Sequence, residues 1–240
     1  MMTVNDRNEF DQPVGFPLLH WRAPESPARI PMQGRFCQLE PLNPQQHGFA
    51  LYQSNQRDPD DRAWTYLPYG PFSDDTMYME WLEQQAAAHD PLFFAIVDGS
   101  GQAVGLASYL RIDAAMGVIE VGHLKFSSAL QRTPAATEAM YLMMQNVFNQ
   151  GYRRYEWKCD ALNLPSRRAA ERLGFRFEGI FRQARIVKGR NRDTAWFSIT
   201  DAEWPVLQAG FQRWLAPENF DEHGRQRHGL AELRHGCLDS

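Results

Sequence analysis

Residues 163–179 read NLPSRRAAERLGFRFEG, and this stretch decides the fold. Asn163 can accept the first free backbone N–H groups of a helix, Pro165 suits the first turn, and Gly174 stops it. Ala169, Ala170 and Leu173 give that helix an apolar face. Phe175 and Phe177 then alternate with Arg176 and Glu178, so the chain leaves the helix as a strand.

Working outward, the composition limits what can surround this unit. A chain of 240 residues reads as one large domain with tails, and 43% hydrophobic with 12% aromatic residues is enough to build a core. A net charge of −4 gives no cationic field for nucleic acid. Cys37, Cys159 and Cys237 are odd in number and lack metal spacing, which suits a reducing compartment. The opening MMTVNDRNEF has neither the charged nor the apolar region of a leader, and no apolar run reaches membrane-spanning length. The expectation is a cytoplasmic protein with no nucleic acid or membrane partner and no bound metal.

Periodicity and punctuation divide the chain. Residues 1–33 are proline-rich and polar and read as an N-terminal extension. Residues 35–42 alternate as a first strand, and Asn43-Pro44 opens a helix towards Gln56. The loop over residues 57–75, dense in Pro, Gly and aromatics, has the character of a functional loop. A helix spans 75–89, a hairpin pairs 93–98 with 103–112, and another strand covers 117–126. A helix over 134–150 turns Met140, Met143, Met144, Val147 and Phe148 inward. A strand over 152–161, the unit at Asn163, a strand over 193–201 and a helix over 203–215 complete the order. The domain is expected over 34–215. Residues 216–240 read as a polar, frayed tail, whose His223, His228, His235 and Cys237 invite a metal reading that fraying outweighs.

Asn-x-x-Ser, a short helix, Leu-Gly-Phe and then Glu-Gly resemble the acetyl-CoA-binding end of the GNAT superfamily of N-acetyltransferases, nearest the ribosomal-protein N-alpha-acetyltransferase (RimJ/RimL-type) branch. The element order matches that superfamily over roughly 34–204. The resemblance implies an α+β fold with a mixed, mostly antiparallel sheet, helices on both faces and two central parallel strands that splay apart, here 117–126 and 152–161. It implies acetyl-CoA as cosubstrate, with Leu124 and Phe126 beside the pantetheine arm and Gly122 admitting close backbone approach. A bulge or simple packing explains Gly122 equally well.

The pyrophosphate loop departs from the superfamily pattern Gln/Arg-x-x-Gly-x-Gly/Ala. Gln131, Arg132, Thr133, Pro134, Ala135 and Ala136 stand there, followed by Thr137, Glu138 and Ala139, which look like the Thr-Glu-Ala of the branch. A helix N-terminus still forms, with Thr133 as cap and Pro134 at the first position, and its free N–H groups and dipole suit phosphate. Proline removes one donor, which Arg132 can offset.

Resemblance also assigns the chemistry. Asn163 and Ser166 match residues near the cofactor sulfur, and the Ser166 hydroxyl can hydrogen-bond the departing thiolate. The branch favours a glutamate base on the strand after Glu-Gly, but the matching residue here is Arg185, which stays protonated. Glu120 is the expected replacement, with His123 as alternative and Glu178 and Asp160 behind them. Asp193 is expected to orient the last strands through Arg192 or Lys188. Trp64, Tyr66, Tyr69 and Phe72 are expected to wall an acceptor pocket, with Asp58, Asp60 and Asp61 attracting a primary amine; a packed loop with a solvated acidic rim is the competing reading. The function so read is acetyl transfer from acetyl-CoA to a primary amine, compatible with a homodimer. The alternative is a non-catalytic acyl-CoA-binding or interaction module, kept open by Pro134 and Arg185.

Overall fold

The computed structural model describes residues 6–58 and 60–235. A short hairpin, β1 (Asp6–Arg7) and β2 (Pro13–Val14), lies apart from the main sheet. The chain then adds β3 (Met32–Gln33), β4 (Cys37–Pro41), α1 (Pro44–Gln56) and α2 (Asp75–Ala87). Strands β5 (Leu92–Asp98), β6 (Ala103–Asp113) and β7 (Val118–Phe126) lead into α3 (Pro134–Asn149). Next come β8 (Arg154–Asp160), α4 (Leu164–Leu173), β9 (Arg176–Val187), β10 (Arg190–Thr200), α5 (Trp204–Leu215) and α6 (Leu230–His235).

The eight-stranded sheet runs β3-β4-β5-β6-β7-β8-β10-β9, and every neighbouring pair is antiparallel except β7 with β8. The α+β expectation therefore holds. Strand β5 is buried on both faces, which explains its unbroken apolar run LFFAIVD. Phe94 and Ile96 pack in the core under α3, whereas Phe93, Ala95 and Val97 pack in a second core with Leu51, Tyr78 and Leu82 of α1 and α2. The inward methionines of α3 sit in the first core as expected. Glu138 explains the acidic residue of its Thr-Glu-Ala run: its buried carboxylate accepts the backbone N–H groups of Arg35, Phe36 and Cys37 and ties the approach to β4 onto α3.

The segment after α5 is not frayed. Phe220 stacks edge-on against Trp214, Leu230 is buried, and α6 packs on α5. These anchors are spaced among polar residues, so no period shows in the sequence. His228 pairs with Glu232 and His223 lies near Glu222; Cys237 lies outside the described residues. Among the described residues, no helix is long and apolar enough to cross a membrane, and no group of metal-ligating side chains converges.

Candidate active site

Parallel pairing of β7 with β8 runs from Val118–Arg154 to Val121–Trp157 and then stops. Beyond that point the strands diverge, and a cleft of about 1560 Å³ runs through the opening. At Gly122 to Lys125 the register with β6 slips, and His123 takes a left-handed φ of 52°. A bulge of this kind re-aims side chains at the rim of a site. The bulge reading of this segment is therefore the observed one, and a Cβ on Gly122 would also come within 2.9 Å of Leu110.

One end of the cleft is built by the start of α3. Thr133 caps α3 by accepting from Ala136 N, and its own N–H bonds the Leu130 carbonyl. With Pro134 lacking an N–H, Ala135 holds the first-turn donor that remains for a phosphate. Gln131 spends its amide on the Phe126 carbonyl, which closes the loop, and Arg132 is exposed with a φ of 62°. Two cations that sequence reasoning missed also line this end. Arg172 reaches across from α4 to Thr137 Oγ1 at 3.0 Å, and Arg225 arrives from the segment after α5. Arg172 is visible as a basic residue in the last turn of α4, but its aim depends on how α4 packs. Leu124, Phe126, Thr133, Ala136, Thr137, Asn163 and Ser166 all line the cleft; Ala135 stands behind it, packed against the core.

At the waist, Asn163 Oδ1 accepts from Ser166 N at 3.1 Å and starts α4. The Trp157 indole donates to Ser166 Oγ at 3.0 Å. That bond uses the hydroxyl oxygen as acceptor, and the hydroxyl also hydrogen-bonds the Cys159 side chain. The Cys159 thiol lies beside it, and burial holds that thiol above its ordinary pKa.

The other end carries the candidate bases. Glu120 is 5% exposed and lies 2.9 Å from Lys158 Nζ and 3.4 Å from Arg111 Nε. The first is an ion-pair approach whose orientation leaves Oε2 without a well-aligned hydrogen bond. Burial raises the Glu120 carboxyl pKa more than Lys158 and Arg111 lower it. Lys158 also touches Glu156, and Arg154 joins Glu156 to Glu178, so charges alternate along this face. Glu178 is thereby committed to Arg154 and Ser198 and does not line the cleft. Asp160 does line it, with Oδ1 accepting from Leu162 N. His123 stacks on Tyr69, and its Nδ1 lies 3.2 Å from the Tyr69 hydroxyl. Burial, then the charges of Arg185 and Arg192, push its pKa down to about 4.

The aromatic loop divides differently from expectation. Tyr66 lines the cleft and bonds the Leu162 carbonyl at 3.3 Å. Trp64 does not: it is 5% exposed in the second core, edge-on to Tyr69 and Phe72. Tyr69 stands one layer back, behind His123, because burying three large rings outweighs exposing them to solvent. The acidic residues are also occupied elsewhere. Asp58 pairs with Lys125 at 2.8 Å and caps Ser128 N, and Asp60 pairs with Arg62. Asp193 does orient the last strands, through Gln183 N and Asn191 instead of Arg192 or Lys188; Lys188 reaches the Trp64 carbonyl.

Known proteins share this fold. The acetyltransferase (GNAT) domain family matches residues 38–176. A crystal structure of a GCN5-related N-acetyltransferase from Brucella melitensis is 50% identical, with a TM-score of 0.89 over 91% of this chain and 100% of that one. A GNAT-family structure from Chromobacterium violaceum is 42% identical, with a TM-score of 0.76 over 81% of this chain and 98% of that one. The ribosomal L7/L12 alpha-N-protein acetyltransferase RimL shares the fold at 18% identity, with a TM-score of 0.60 over 70% of this chain and 91% of that one. No curated protein matches the chain.

Proposed function

The chain belongs to the GNAT acetyltransferase family, and from that premise we propose that it moves an acetyl group from acetyl-CoA to a primary amine by direct attack. The observation that carries this reading is the cleft through the β7–β8 opening, with the start of α3 and cations at one end, the start of α4 at its waist, and Glu120 with His123 at the other end. Arg132, Arg172, Arg225 and the start of α3 suit phosphates, while the edge of β7 beyond Gly122 has no β8 partner and suits an extended amide-bearing arm. Acetyl-CoA supplies an activated thioester carbonyl. In the transfer the amine nitrogen forms a C–N bond to that carbonyl carbon, the C–S bond breaks, and the nitrogen loses a proton while the thiolate gains one.

Ser166 is suited to the thiolate, because Trp157 holds its oxygen in place and its O–H can turn from Cys159 to donate as negative charge develops on the cofactor sulfur. Glu120 is the better base candidate. Its raised pKa brings it nearer neutrality, whereas His123 at about 4 holds a proton weakly. The free, buried Cys37 and Cys159 accord with a reducing cytoplasm. Pro134 and Arg185 favour a second reading, an acyl-CoA-binding module without turnover. Thiol release from acetyl-CoA across amines and N-terminal peptides separates the two: release with any acceptor is expected, and CoA binding without release from all of them would establish the module.

A further inference from the structure

The end of the cleft that holds Glu120 carries a row of polar groups that no other group among the described residues satisfies. Arg192, Thr194 and Trp196 alternate along β10, so their side chains share one face of the sheet, and all three line the cleft. Each carries a buried atom without a hydrogen-bond partner: Arg192 Nε, Thr194 Oγ1 and Trp196 Nε1. Thr194 is 4% exposed. Three unsatisfied groups in one row are unusual, because a buried donor left unpaired loses its hydration and gains no hydrogen bond in its place. All three are donors, and Arg192 and Thr194, two residues apart on one face, are near enough to serve one oxygen-rich group.

The neighbouring strand adds a charge. Strand β9 takes extra residues between Phe181 and Arg185 where β10 runs from Arg192 to Thr194. Gln183 adopts a φ of 49° there, and Asp193 fixes the bulge by accepting from Gln183 N at 2.7 Å. The bulge brings Arg185 into the cleft opposite Arg192. Neither guanidinium forms an ion pair among the described residues. Two adjacent, unpaired arginines are repulsive until an anion joins them.

The balance of charge suggests the size of that anion. The alternating set Glu178, Arg154, Glu156, Lys158, Glu120 and Arg111 is neutral by itself. Asp160, whose field reaches Arg192, offsets one of the two arginines. One positive charge remains, which suits a monoanion better than a phosphate dianion. The apolar share of the wall comes from Phe181 stacked on Trp196 at 4.5 Å.

We propose that the acceptor carries a carboxylate as well as its amine, and that Arg192, Arg185 and Thr194 hold the carboxylate while the amine faces Glu120. This rests on the acetyl-transfer reading and names its substrate class. Burial, the largest cause of the lowered His123 pKa, would likewise disfavour the ammonium of an acceptor bound beside it and favour its neutral, nucleophilic form. Arg185, standing where the branch has a glutamate, is then a binding group for the acceptor.

The test uses N-acetyl amino acids, which combine the product amide with a carboxylate, against their carboxamides, titrated calorimetrically into the protein with and without saturating CoA. N-acetylalanine and N-acetylphenylalanine present a main-chain carboxylate. The amides of N-acetylaspartate and N-acetylglutamate present a side-chain carboxylate only, as an acidic peptide N-terminus would. At least one carboxylate probe should bind tenfold or more tighter than its uncharged partner. Arg185→Gln and Thr194→Val, which change an exposed group and a near-isostere, should each reduce that preference at least threefold, and Arg192→Gln should remove it, with CoA affinity unchanged. Equal binding of charged and uncharged probes, or no binding of any carboxylate, would overturn the proposal. A protein that fails to bind CoA but keeps the carboxylate preference would overturn only the acetyl-transfer reading.

Discussion

Lys158 Nζ lies 2.9 Å from Glu120 Oε2 in the wall of the cleft, and both side chains are almost wholly buried. The two come from the strands that pair in parallel up to Val121–Trp157, so the pair marks where the sheet begins to open. A carboxylate acting as the base has to be held without being locked, and the proposed role of Glu120 fits its two cationic neighbours, Lys158 and Arg111, beside a raised pKa.

Glu120→Gln keeps the shape and removes the proton acceptor. Turnover should fall by roughly 10²–10⁴ if Glu120 is the base. In the parent, activity should drop as pH falls through the raised Glu120 pKa, because only the ionised form accepts a proton. That acidic limb should vanish in the variant. Turnover against pH for the parent, Glu120→Gln and His123→Ala checks this; parent-like profiles in both variants would instead point to an α-amine that sheds its own proton near pKa ~8.

Ser166→Ala should lower kcat by about 10–100-fold, corresponding to the ~1.5–3 kcal/mol of a hydrogen bond to a charged group. The affinity for acetyl-CoA should change little, since the bond strengthens only as thiolate charge appears. Equal kcat in variant and parent would reduce Ser166 to a partner for the Trp157 indole.

Arg132→Ala and Arg172→Ala should each weaken CoA binding by about 1–3 kcal/mol, with a loss that shrinks as salt rises. Both side chains are exposed, so both losses should shrink with salt, and Arg172 differs in being held in place by its bond to Thr137. Titration calorimetry at two ionic strengths measures both.

Asp58 and Lys125 form a buried pair that ties the aromatic loop to β7. Asp58→Asn should cost about 3–5 kcal/mol by leaving Lys125 unpaired. Burial alone would raise the Asp58 carboxyl pKa, but its bonds to Lys125 and Ser128 outweigh that and hold it low. The resulting stability is present above the unfolded value of about 3.9 and is lost as pH falls through the lower folded one. Thermal unfolding of parent and variant against pH should therefore converge at strongly acidic pH.

The fold was legible because its elements announce themselves locally. Asn163, Pro165 and Gly174 punctuate α4, and Met140, Met143, Met144 and Val147 carry the helical period of α3. The two-residue strands β1 to β3 are too short to show a period, and the segment after α5 is held by the isolated anchors Phe220 and Leu230. The waist of the site was legible for the same reason as α4. Its far end was not. The bulges at His123 and Gln183 arise from pairing between strands, the second bringing Arg185 into the cleft, while ring packing in the second core withdraws Trp64 and Tyr69. Arg172 and Arg225 meet the phosphate end only through packing.

The most direct test of the account is calorimetric titration of the unmodified protein with CoA, because every assigned role depends on CoA entering the cleft. One site per chain is expected, weakened by Arg132→Ala and Arg172→Ala and unchanged by Glu120→Gln. No heat of binding, or binding indifferent to both arginines, would contradict it.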